Sequence, residues 1–154
     1  MKPRSYAWLA GAVALLAIGI GLFSFELFSQ APQIDPDDAV QVALGRGIYA
    51  EHCAMCHGAN LEGQPDWMTR KPNGRLPAPP HDVTGHTWHH PDQQLMLITK
   101  EGLSAVVPGY ESDMPAFMGV LRDEQIAAVL AFIESSWPGD IRERQRQLTR
   151  QAER

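Results

Sequence analysis

Two thiols three residues apart, followed at once by an imidazole, stand in Cys53-Ala54-Met55-Cys56-His57, and these are the chain's only cysteines. A disulfide framework is thereby excluded, and the spacing reads as chemistry. Thiols at this separation can each reach one of two neighbouring vinyl groups on the same porphyrin edge and form thioethers. The adjacent histidine then projects its ring under the iron as proximal ligand. The pattern argues for one covalent haem c held by Cys53, Cys56 and His57. Two other chemistries use similar residues. A thioredoxin-like redox pair expects a strand before the motif and a βαβ pattern around it, whereas the flanks here read as helix and proline-rich loop. A zinc site built from Cys53, Cys56, His86 and His90 would need a separation between its halves about twice that of compact fingers.

An electron-transferring haem iron commonly takes a Met thioether opposite the His, which raises its reduction potential. Downstream of the motif stand Met68, Met96, Met114 and Met118. Met96 lies among apolar helical residues, where methionine more often fills a core, and Met68 is too close to the motif to pass around a haem comfortably. Met114 sits in the loop Ser112-Asp113-Met114-Pro115-Ala116-Phe117. Pro115 disfavours helix at Met114 and fixes the backbone there, so Met114 is the expected axial ligand, with Met118 the alternative.

These groups need elements to hold them. Asp35-Pro36 reads as an N-cap and first helical proline, opening a helix with an apolar stripe of Val40, Leu44, Ile48 and Tyr49. Gly45 and Gly47 within it suggest close approach by another element. From Gly58 to Pro91, six prolines and four glycines without a sustained period indicate a long loop, and loops of that length are usually functional. Pro91-Asp92 opens a second helix carrying Leu95, Met96, Ile98 and Thr99 and ending at Gly102. Val106 to Gly119 is a further loop. Gln125 to Ser136 forms the clearest helix, turning Ile126, Val129, Leu130, Phe132 and Ile133 inward and stopping before Pro138-Gly139. Ile141 to Arg154 is helix-compatible but polar, and reads as a solvated, partly frayed tail.

The amino-terminal segment differs in kind. Lys2 and Arg4 precede twenty uncharged residues, Tyr6 to Phe25, about the length needed to cross a hydrocarbon core roughly 30 Å thick. A signal peptide is the competing reading, but its best cleavage site, Ser29-Gln30-Ala31, is followed by Pro32, a poor context. Residues 1–30 are expected to be a retained membrane anchor, 31–36 a linker, 37–138 the haem domain and 139–154 a charged tail. Positive charge before the span places its start in the cytoplasm, so the haem domain faces the periplasm at a bacterial inner membrane. Fourteen Asp or Glu against six Lys or Arg between Asp35 and Trp137 give that part a charge of −8. This argues against nucleic-acid binding and for partners with a basic patch.

The pattern as a whole resembles the class I c-type cytochromes, from about Asp37 to Trp137. Gly45-Arg46-Gly47-Ile48-Tyr49 before Cys53 is similar to the family's N-terminal glycine and aromatic pair. Met114-Pro115-Ala116-Phe117, followed by Leu121, Asp123, Glu124 and Gln125, is similar to its axial-methionine loop and last helix. The resemblance implies an all-α, haem-wrapping fold in which the helix around Gly45 crosses the last helix near Phe132. It implies that Trp88 hydrogen-bonds a haem propionate and that Pro79 or Pro80 supplies the carbonyl orienting His57. Two residues depart from it: His81 stands where an apolar residue usually follows that proline, and Arg122 where a capping Ser or Thr is common, with Asp123 able to cap instead.

The resemblance leaves unexplained four histidines within ten residues, His81, His86, His89 and His90, which read either as a polar loop or as a second metal site. The function that follows is electron transfer without catalysis, between membrane-associated redox partners, a terminal oxidase or a copper protein among them. A catalytic or gas-sensing haem and a metal-handling protein are the competing classes.

Overall fold

The computed structural model describes residues 32–154; the anchor expected at residues 1–30 lies outside them. Among the described residues there is no strand, and no helix is long and apolar enough to cross a membrane. The all-helical expectation holds for this part of the chain.

Helix α1 runs over Ala39–His52. Its cap is Asp38 rather than Asp35-Pro36, because the Asp38 carboxylate accepts from the backbone N–H groups of Val40 (2.8 Å) and Gln41 (3.3 Å), two of the donors a helix start leaves unpaired. The buried face of α1 is Gly45, Ile48 and Tyr49. Val40, at 79% exposure, and Leu44 lie off it, so the expected stripe holds only in its second half. One turn further on, Ala54–His57 forms the single-turn helix α2.

The proline-rich segment is irregular apart from a 3-10 turn at Thr87–His89. Helix α3, Asp92–Glu101, ends where Gly102 takes φ +88°, a left-handed conformation that glycine adopts without steric cost. A 3-10 turn at Leu103–Ala105 leads into the next loop. Helix α4, Asp123–Ser135, is buried almost all round from Ile126 to Ala131. Arg122 is its N-cap, its backbone N–H donating to the Gln125 side chain at 3.1 Å. Asp123 does not cap, because its carboxylate is paired with Lys100 at 2.8 Å.

The α1–α4 crossing organises the core. A Cβ on Gly45 would collide with the Ala128 carbonyl, so glycine there lets two backbones touch; Gly47 faces open space. Tyr49 packs on Phe132 with ring centroids 5.3 Å apart. Around this contact gather Ile48, Leu61, Leu95, Phe117, Leu121, Val129, Leu130, Ile133 and Trp137.

The tail departs most from expectation. Gly139–Ala152 is a helix, α5, packed against the Thr87–His89 turn and α3 with Gln145 only 1% exposed. Ile141 packs against the core, and hydrogen bonds complete the docking. Gln145 donates to the Asp92 carboxylate and to the His90 carbonyl, and the Thr149 hydroxyl donates to Asp92 at 3.0 Å. Arg142 meets Asp37 at 2.7 Å.

Candidate functional site

The motif is delivered by the end of α1. The N–H of Cys53 donates to Tyr49 O at 2.9 Å, and those of Cys56 and His57 donate to Cys53 O at 3.1 and 2.9 Å. One helical turn therefore sets the two sulfurs on one side with His57 directly following. The Tyr49 hydroxyl donates to the Gly58 carbonyl at 2.8 Å and closes that turn. The two cysteines form no disulfide with each other. Burial, and then the neighbouring Cys56, push the Cys53 thiol up to about 11. The strand that a thioredoxin-like pair expects before its motif is replaced here by helix α1, and among the described residues no group of three or more His, Cys, Asp or Glu could hold a zinc ion.

His57 is 7% exposed, and its Nδ1–H donates to the Pro79 carbonyl at 2.8 Å. A carbonyl can only accept, so the bond fixes the tautomer and leaves the Nε2 lone pair for a metal. Burial lowers the imidazole's pKa, partly opposed by the Pro79 bond, and the ring is neutral as a ligand must be. The proline is held from several sides. Gly63 N–H donates to His57 O at 2.7 Å, and Gln64 N–H to Ala78 O at 2.9 Å. Side chains at Gly63 or Gly85 would strike the Pro79-Pro80 backbone.

His81 does not displace Pro79 from this role. It lies flat on His57, ring centroids 4.0 Å apart and planes at 22°. Its Nδ1 shares a 2.8 Å hydrogen bond with Thr87 Oγ1, its backbone N–H donates to Leu61 O, and its carbonyl accepts from Trp137 Nε1 at 2.7 Å. Leu61 holds that carbonyl in place at φ +70°, a strained conformation for a branched residue. Desolvation, then the neighbouring His57 and His86, keep His81 well below the usual imidazole range. Sequence reasoning missed this stack and the Trp137 anchor, which join positions far apart in the chain.

Met114 is half-buried against the core. Together with Arg75, Leu103, Tyr110 and Ala116 it lines an open cavity of about 390 Å³. Met118 is 59% and Met68 76% exposed, whereas Met96, like Met114, is partly buried and packs against the core. The Met114 loop is clamped from the proline-rich segment. Asp113 meets Arg75 at 2.7 Å and Lys71 at 3.1 Å, and Glu111 meets Arg75 at 3.4 Å. The Arg75 hydrogen bond, then that of Lys71, hold Asp113 below the ordinary carboxylate range. Nothing local in the sequence signals this clamp. Trp88 is half-buried, its ring stacked on His89 at 3.6 Å with the Arg144 guanidinium 5.3 Å from its centroid. Its buried indole N–H has no partner among the described residues.

The four clustered histidines do not converge on one point: His81 turns to His57 and His89 to Trp88, while His86 stacks on Trp67 and neighbours His90. Among the described residues no group of three or more His, Cys, Asp or Glu could hold a metal ion.

These features fit a porphyrin-borne iron: two cysteines on one turn, an imidazole with a free Nε2, and an orphaned indole donor suited to a carboxylate. The cytochrome c family model matches residues 42–137, and the chain belongs to that family. It therefore carries haem c, bound covalently, one being typical of a single domain of this kind; such domains generally serve electron transfer. Searches of curated proteins and of solved structures gave no match.

Proposed function

We propose that the protein is a class I cytochrome c that carries single electrons between membrane-associated redox partners, tethered by residues 1–30 with its haem domain at the periplasmic face. The haem, when bound, supplies a reversible one-electron change at iron. In this reading Cys53 and Cys56 hold the porphyrin edge, His57 and Met114 are the axial ligands, and Trp88 donates to a propionate. The observation that carries the reading is the Nδ1–H bond from His57 to Pro79, since it frees the opposite nitrogen for iron. Met114 supports it, half-buried against the core in a loop fixed by Asp113. A thioether opposite an imidazole raises the haem's reduction potential, so the potential is high among haem proteins. The acidic surface between Asp35 and Trp137 suits donors and acceptors with a basic patch, such as an oxidase or a copper protein.

One preparation tests both halves. Full-length protein should stay with the membrane fraction until mild detergent is added, and the reduced protein should then form no carbon monoxide adduct at neutral pH. Release without detergent would overturn the tether. A ready carbon monoxide adduct would overturn the Met114 ligation and reopen a catalytic or sensing haem.

A further inference from the structure

The histidine-rich segment is not used by the site above, apart from His81 and the Trp88 turn. Of its remaining rings, His86 and His90 are neighbours, with centroids 5.4 Å apart and planes at 72°. With metal–nitrogen bonds of about 2.0–2.1 Å, two imidazoles on one tetrahedral ion place their centroids roughly 5 Å apart. The observed separation is close to that spacing.

We propose that His86 and His90 form a two-histidine surface site for a divalent transition ion, copper(II) above zinc(II), with water completing the coordination. Each ring is prepared for it. His90 Nδ1–H donates to the Gln94 side-chain oxygen at 3.2 Å, so its Nε2 lone pair is free, the arrangement by which an outer partner orients a ligating histidine. The His90 backbone is fixed from α5, its carbonyl accepting from Gln145. His86 is exposed and lies parallel to Trp67, centroids 5.3 Å apart and planes at 8°. That stack holds one face of the ring and leaves its edge accessible. Imidazole suits both metals, and a site offering nitrogen without an enforced geometry ranks copper(II) above zinc(II). The geometry excludes the other two histidines: His81 is engaged with His57 and Thr87, and His89 lies on Trp88.

The test is a copper(II) titration of the haem-loaded protein, followed by electron paramagnetic resonance and by equilibrium dialysis, with zinc(II) run alongside. The expected result is one tight equivalent whose spectrum shows nitrogen coordination, and weaker retention of zinc. His86→Gln and His90→Gln should each weaken copper binding at least about tenfold, and Gln94→Ala by roughly 10-fold or more, as loss of an orienting partner does. His89→Gln should leave it unchanged. An unaltered haem spectrum in every variant shows that the fold is kept. Copper binding that survives both substitutions, or that is lost in His89→Gln, would overturn the assignment.

Discussion

A single hydrogen bond to Pro79 leaves the Nε2 of His57 free, and ion pairs from Arg75 and Lys71 to Asp113 hold the loop that carries Met114. The Cys53, Cys56 and His57 triad was legible because covalent attachment confines it to five consecutive residues. Pro79 was legible only through resemblance, and it lies within hydrogen-bonding distance of His57 even though His81 follows it. The clamp from Arg75 to Asp113 was not legible, since partners 38 residues apart leave no local pattern. Both residues are exposed, so the pair adds little to global stability; its effect should be on the loop. Arg75→Ala is expected to leave the melting temperature nearly unchanged while making ferrous protein measurably more accessible to carbon monoxide. The sign with pH follows from Asp113, whose carboxyl is held below its ordinary value of 3.8. The clamp is intact above that value and is lost as pH falls through the lower folded one. In an acid titration followed by visible absorption, Arg75→Ala should therefore lose the native ferric spectrum at higher pH than wild type. Identical titrations would show that the clamp does not support the ligand loop.

At the scale of elements, apolar periodicity found α3 and α4 to within a few residues, because each buries an apolar stripe. It misplaced the cap of α1, where three aspartates within four residues compete: the Asp35 carboxylate accepts from Asp37 N–H, ahead of the helix, and that of Asp38 from Val40 and Gln41 inside its first turn. It missed the docking of α5, because that helix is held by Gln145, Thr149 and Arg142 through polar contacts that hydropathy does not register. Two substitutions test the helix contacts. Gly45→Ala should destabilise by about 1–3 kcal/mol or more, as overpacking does, whereas Gly47→Ala, facing open space, should stabilise by about 0.5–1 kcal/mol; denaturant midpoints separate the two. Under α5 lies Glu134, 3% exposed, where burial and then the nearby Asp92 push its carboxyl up to about 9. At neutral pH it is protonated in the folded protein, able to donate to Asp92, but ionised in the unfolded chain. Its contribution to stability is complete below the ordinary value of 4.5 and is lost as pH rises through about 9. Glu134→Gln should thus match wild type in melting temperature at pH 4 and exceed it increasingly towards pH 9. A constant difference across that range would contradict a buried, neutral Glu134.

At the scale of the whole molecule, one haem-binding unit combines an acidic surface, an expected membrane tether and a helix beyond the family-matched region that covers one side of Trp88. That the chain binds haem was readable from five residues. Its behaviour as an electron carrier depends on whether Met114 closes the second axial position, and that turns on loop geometry which proline placement only suggests. Reduction potential reads this most directly, because axial ligation sets haem potentials over a range of about 0.8 V. The measurement is a redox titration of purified wild-type protein beside Met114→Ala and Met118→Ala. Met114→Ala should lower the potential by on the order of 0.1 V or more, and Met118→Ala, altering an exposed side chain, should leave it unchanged. A potential unmoved by Met114→Ala, or one lowered by Met118→Ala instead, would contradict His57 and Met114 as the pair that holds the iron.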